Sequence, residues 1–182
     1  MDVYWALLGV ICVERVAELV VSTRHANASL RLGGVESGAG HFPVMVVLHA
    51  ALLVGCVVEP VVAHRTFIPA LGWPMIALVL AANGLRWWCI ATLGPYWSAR
   101  VIVIPGTTLV RSGPYRWFAH PNYVAVIVEG AALPLAGSAW ITAITFTVLN
   151  AALLTVRLRC ETRALATATG TSTGAGTAAA AA

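Results

Sequence analysis

The sequence predicts an all-α, polytopic membrane protein: five transmembrane helices, a cytoplasmic cap loop, and a tight hairpin joining helices four and five. Three observations carry that expectation. Hydrophobic residues make up 59% of the 182-residue chain against 10% charged, a balance too apolar for a water-soluble surface. Five segments approach the roughly 20 helical residues that cross a hydrocarbon core of about 30 Å. The charges are also sorted along the chain, because all 11 basic residues are Arg and most fall in alternate loops.

Taken in order, the segments are 3–21, 42–62, 68–92, 121–138 and 139–156, the last continuing as helix to about 163. No basic residue precedes the first, and Glu14, Arg15 and Glu18 interrupt it, so it is expected to stay attached as a helix instead of serving as a cleaved leader. Only Leu135, Ala136, Gly137 and Ser138 separate the last two segments, which forces an antiparallel hairpin. With the amino terminus outside, Arg24, Arg31, Arg100, Arg111, Arg116, Arg157, Arg159 and Arg163 all face the cytoplasm, and only Arg65 lies in an outside loop. A single domain is expected over 1–165. The Ala, Thr, Gly and Ser of 166–182 offer nothing bulky to pack and read as a flexible low-complexity tail.

The loop 93–119 is too long for a simple connector, and its aromatic and aliphatic content argues for a structured cap at the headgroup level, where Trp and Tyr prefer to sit. Cys12, Cys56, Cys89 and Cys160 have no paired spacing and read as small packed hydrophobes. His41, His49 and His64 are too dispersed to form a metal site, so no metal is expected. The scattered arginines lack the clustered basic face of a nucleic-acid binder, so nucleic acid is set aside as a partner.

Chemistry is expected where the polar 109–119 approach enters the fourth helix. Pro121 suits a first helical turn, which makes His120 the cap and places it where it can exchange protons with water. A histidine there could equally do no more than hydrogen-bond the loop. Asn122 and Glu129 share a face, whereas His120 and Glu129 project to opposite sides. A carboxylate nine residues into a membrane helix is costly unless paired or set in a polar cavity, so Glu129 is a functional candidate, with Pro134 expected to kink the helix beyond it. Asn150, Leu154, Arg157 and Glu161 form a stripe on the fifth helix, although Arg157 and Glu161 could be a plain i, i+4 pair. Glu14, Arg15, Glu18 and Arg86 are a second set of intramembrane charges, for which structural pairing is the expected role, with Arg86 answering one of the glutamates.

These residues carry a resemblance. LGPYW at 93–97, PG at 105–106, LVRSGPYRW at 109–117, HPNY at 120–123 and RLRCE at 157–161 resemble the signature of the isoprenylcysteine carboxyl methyltransferase family, over about residues 84–165. The amino-terminal half resembles a smaller bacterial branch associated with type III polyketide synthases, whose members methylate phenolic or pyrone lipids. The resemblance implies S-adenosylmethionine as cofactor, bound near Tyr115, His120, Pro121, Asn122, Tyr123, Arg157 and Glu161 on the cytoplasmic side. It also implies a membrane-dissolved lipid acceptor. In this family an Arg typically precedes the His-Pro pair, and here the position is Ala119. A carboxylate acceptor would value that charge. The expectation is therefore O-methylation of a lipid hydroxyl, with His120 or Glu129 as catalytic proton acceptor. Methylation of a prenylcysteine or other lipid carboxyl is the alternative within the fold. A non-enzymatic membrane protein or small transporter is the alternative outside it.

Overall fold

The computed structural model describes residues 1–104, 110–170 and 178–179, with side chains described up to Glu161. Five helices dominate: α1 (Asp2–Arg31), α2 (His41–Val62), α3 (Pro69–Leu93), α4 (Pro121–Ala136) and α5 (Trp140–Gly170). Short strands β1 (Val35–Ser37), β2 (Val101–Ile104) and β3 (Ala178–Ala179) form one antiparallel sheet in the order β1-β2-β3, with Glu36 opposite Ile102 and Ile104 opposite Ala178.

Among the described residues, three helical stretches are long and apolar enough to cross a membrane: His41–Val62, Pro69–Tyr96 and Trp140–Glu161. The sequence predicted five. The 16-residue α4 spans only about 24 Å at 1.5 Å per residue. Ten of those residues are buried, so the helix packs within the bundle over most of its surface, with Val124 and Ile127 left exposed. In α1, Glu14, Arg15 and Glu18 interrupt the apolar half, and the helix runs ten residues past the expected end at 21, through the polar stretch from Ser22 to Arg31.

The hairpin between α4 and α5 turns at Gly137 and Ser138. Ser138 adopts a left-handed φ of 59°, and its hydroxyl donates to the Thr66 carbonyl at 3.0 Å. Gly130 lies flush against the Phe146 ring, so the two helices meet where only a hydrogen fits. Pro134 was expected to kink α4, but the helix has only two residues left beyond it and simply ends. At this end Tyr4, Leu8 and Ile11 pack with Cys56, Val79, Leu133 and Phe146 in an apolar core, whose close packing supplies dispersion contacts between the helices. All four cysteines are free.

The opposite end gathers the carboxyl ends of α1, α3 and α5 with the amino ends of α2 and α4. Here the described residues 94–104 and 110–119 pack against the bundle. A 3-10 turn spans Gly94–Tyr96, the Ala99 amide donates to the Ser22 hydroxyl at 2.9 Å, and His25 Nδ1 lies 3.0 Å from the Trp97 carbonyl. A second 3-10 turn, Gly113–Arg116, needs glycine at its start, because Gly113 has φ 56° and lies against Thr92 and Trp88. The sheet was not foreseen in an all-α reading. The Pro105 to Leu109 part of the expected cap lies outside the described residues, as does most of the 166–182 tail.

Candidate functional site

A cavity of about 320 Å³ opens between α1, α2, α4 and α5 beneath the 97–99 segment. Most of its wall is apolar, from Val16 and Leu19 of α1 through Met45, Val46 and Leu53 of α2 to Leu154 of α5. Polar groups enter it from two sides. Asn122, Tyr123 and Arg157 form one polar wall, and Arg15, Glu18 and Arg86 form the other.

The first wall rests on the start of α4. Pro121 at the first helical position costs no hydrogen bond and directs the chain inward, so Asn122 and Tyr123 are buried within one turn. The Tyr123 hydroxyl donates to Glu161 Oε2 at 2.9 Å, which ties α4 to α5. His120 stacks on the Tyr123 ring at 5.3 Å and its Nδ1 sits 3.6 Å from Glu161 Oε1. Arg157 does not pair with Glu161. Its guanidinium lies over the Tyr123 ring at 5.8 Å, donates to the Ala99 carbonyl at 2.8 Å and contacts the Met45 sulfur. Tyr115, carried on the second 3-10 turn, packs against Ile90 and Leu93. Burial raises its phenol above the ordinary range, and neighbouring Cys89, Glu161 and Tyr123 push it the same way.

Of the residues the sequence singled out for a cofactor, Asn122, Tyr123 and Arg157 line the cavity. Tyr115, His120, Pro121 and Glu161 stand behind or beside them. His120 keeps 30% of its side chain exposed, as a boundary residue should.

The second wall joins residues that the sequence kept apart. Arg86 reaches Glu129 and lies 3.5 Å from Glu18; Arg15 lies 2.6 Å from Glu18, 3.5 Å from Glu129 and 3.8 Å from Glu14, and donates to Asn83 Oδ1 at 2.8 Å. Arg86 does answer a glutamate, as expected. Glu129 belongs to the same cluster and is held by two arginines. The sequence signal was there: three charges within five residues of an apolar helix demand partners. What it could not supply was that those partners include a carboxylate three helices along the chain, or that Arg15 and Glu18 face the same cavity as Tyr123.

Fold and cavity together define a class: an integral membrane helical protein whose largely apolar chamber is bounded by two polar walls. Residues 75–167, just over half the chain, match the Isoprenylcysteine carboxyl methyltransferase (ICMT) family, and the chain belongs to that family. It is 34% identical to the uncharacterized protein YpbQ of Bacillus subtilis, over 89% of this chain and 96% of that one. It is 24% identical to an uncharacterized protein of Haemophilus influenzae, over 84% of this chain and 88% of that one. No solved structure matches it. Membership implies a membrane methyltransferase, and methyltransferases of this family use S-adenosylmethionine.

The residues present fit the amino-acid portion of such a donor. Arg157 is a buried cation whose described partners are a carbonyl, a sulfur and the Tyr123 side chain, with no carboxylate at ion-pair distance. Glu161 Oε1 and Asn122 Oδ1 are buried acceptors without a hydrogen-bond partner. A carboxylate for the first and an ammonium for the others would satisfy all three.

Proposed function

We propose that the chain catalyses S-adenosylmethionine-dependent O-methylation of a membrane-dissolved phenolic or pyrone lipid of polyketide origin, with a functional link to a type III polyketide synthase. Five crossings of a bacterial cytoplasmic membrane, the amino terminus outside, would set the cavity mouth at the cytoplasmic face. The arginine distribution supports that orientation. The observation that carries the reading is the cavity itself, in which an apolar chamber at membrane depth meets the polar wall of Asn122, Tyr123 and Arg157.

In this reading Arg157 holds the donor's carboxylate, and Glu161 with Asn122 takes its ammonium. When bound, the donor supplies an electrophilic methyl group. The chain's own residues then orient and exclude water. Glu161 fixes the Tyr123 hydroxyl, Tyr123 and Arg157 hold each other's faces, and Trp97 with Met45 closes the chamber from the loop side. His120 stands outside the chamber against Tyr123, a place suited to positioning Tyr123 more than to taking a proton from an acceptor. Glu129 anchors the arginine pair from below.

Two features favour a neutral acceptor. Ala119 stands where the family resemblance leads one to expect an arginine, and Arg15 and Arg86 are already committed to carboxylates. The family's own description favours a second reading, methylation of a lipid carboxyl group. Membranes containing the protein, given labelled S-adenosylmethionine with either a long-chain alkylresorcinol or a prenylcysteine, separate the two. Label in the alkylresorcinol is the expected result, and label in the prenylcysteine alone refutes the hydroxyl reading.

A further inference from the structure

The arginine and glutamate cluster is larger than structural pairing needs. Three carboxylates, from Glu14, Glu18 and Glu129, meet two guanidinium groups, so the fully ionised cluster carries an excess negative charge. Its carboxylate oxygens are not equally engaged. Both oxygens of Glu129 face arginines, one from Arg15 and one from Arg86. Both oxygens of Glu14 are taken, by Trp87 Nε1 and by Arg15. Glu18 uses only Oε2, which receives Arg15 at 2.6 Å and Arg86 at 3.5 Å. Its Oε1 is buried with no hydrogen-bond partner, and among the described residues of this cluster it is the one carboxylate oxygen so left.

Glu18 is only 7% exposed, yet it lines the 320 Å³ cavity together with Arg15 and Arg86, across from Tyr123 and Arg157. A buried carboxylate oxygen without a donor is costly to leave unpaired. The terminal nitrogens of Arg15 and Arg86 that approach Glu18 both meet its Oε2, and the partnerless Nε of each arginine is not within hydrogen-bond reach of Oε1, so Oε1 is left open to a donor arriving through the cavity.

We infer that Arg15, Glu18 and Arg86 form the acceptor's head-group subsite, in which Glu18 Oε1 receives the hydrogen bond of a neutral hydroxyl on a lipid. The inference rests on the hydroxyl-methylation reading and adds to it the residue that meets the acceptor. A fourth carboxylate would be repelled here, because the cluster is already one negative charge in excess; a protic, uncharged head completes it. In the transfer the acceptor O–H bond breaks and its proton passes to Glu18. The oxygen's electron pair forms the new O–CH3 bond, and the S–CH3 pair stays with the departing thioether. Proton uptake brings the cluster to two negative and two positive groups. The nearby Arg15 and Arg86 guanidiniums face the oxygen while it is partly anionic. His49, which also lines the cavity, donates from its Nδ1 to the Met45 carbonyl and is turned to its own helix.

Purified protein in lipid nanodiscs, wild type and Glu18→Gln, tests this with three readouts. The first is affinity for labelled S-adenosylmethionine, which reports folding and is expected to stay within about two-fold. The second is equilibrium binding of an alkylresorcinol without cofactor, expected to weaken about ten-fold. The third is methyl transfer to that alkylresorcinol and to a nitro-substituted analogue that is already ionised at the assay pH. Loss of a general base costs about 10²-fold or more with the ordinary phenol, and much less with the ionised one. Equal loss with both phenols, or no loss with either, overturns the assignment of Glu18 while leaving hydroxyl methylation standing. Glu18→Asp keeps the carboxylate and is expected to recover part of the rate; if Glu18→Gln fails to fold, a Glu18→Asp enzyme that shows no preference for the ionised phenol also overturns it. A wild-type protein that binds the cofactor but methylates only a lipid acid overturns the subsite and the parent reading together.

Discussion

Tyr123 donates its hydroxyl to Glu161 at 2.9 Å, joining the first turn of α4 to the far end of α5 beneath His120. A hydrogen bond from a neutral donor to a buried carboxylate contributes about 1.5–3 kcal/mol. Tyr123→Phe is therefore expected to lower thermal stability in detergent by that order and to weaken S-adenosylmethionine binding, while the helical content stays unchanged. A variant with wild-type affinity would show that Glu161 is held in place without Tyr123.

Arg86 reaches two carboxylates at once, so its removal leaves both Glu18 and Glu129 short of charge. Breaking a buried pair from one side costs about 3–5 kcal/mol, whereas removing both partners costs far less. Arg86→Met should be strongly destabilised in thermal unfolding, and Arg86→Met combined with Glu129→Leu should recover much of the loss. Strictly additive losses would mean that the two side chains do not act as a unit.

Gly130 and Phe146 set the spacing of the α4–α5 hairpin. A methyl group at residue 130 meets the Phe146 ring, and overpacking of this kind costs about 1–3 kcal/mol. Gly130→Ala should destabilise the protein, and Phe146→Leu in the same chain should relieve it. Unfolding temperatures of the single and double variants decide this.

Tyr115 stays protonated through the neutral range, because burial beside Cys89, Glu161 and Tyr123 raises its phenol and a phenol with a raised value ionises only at higher pH. Tyr115→Phe is accordingly expected to leave the shape of the pH–rate profile unshifted between mildly acidic and mildly alkaline conditions. A shift in that window would assign Tyr115 an ionising role.

The helices were readable from apolar runs, and the hairpin from the shortness of 135–138, because both depend on local length alone. β1 and β2 were not: strands of three and four residues carry too little alternation to register, and VIVI is as apolar as the helices around it. His120, Asn122, Tyr123 and Glu161 could be assigned to one locality because helix spacing and the hairpin bring them together. Arg157 and Glu161 show where spacing misleads. Four residues apart on one helix, they could pair, yet the Ala99 carbonyl and the Tyr123 ring draw Arg157 one way and the Tyr123 hydroxyl draws Glu161 the other. Glu129 failed to reveal its partners for a related reason, since its arginines come from α1 and α3 and no local pattern encodes that meeting.

The central claim is that the wall built by Asn122, Tyr123 and Arg157, with Glu161 behind it, holds a methyl donor beside a lipid-accessible chamber. Titration of labelled S-adenosylmethionine onto the purified protein in nanodiscs, wild type against Arg157→Ala, tests it most directly. Saturable binding by the wild type, weakened at least ten-fold in Arg157→Ala, is the predicted result. Absence of binding by the wild type, or equal affinity in the two proteins, would contradict it.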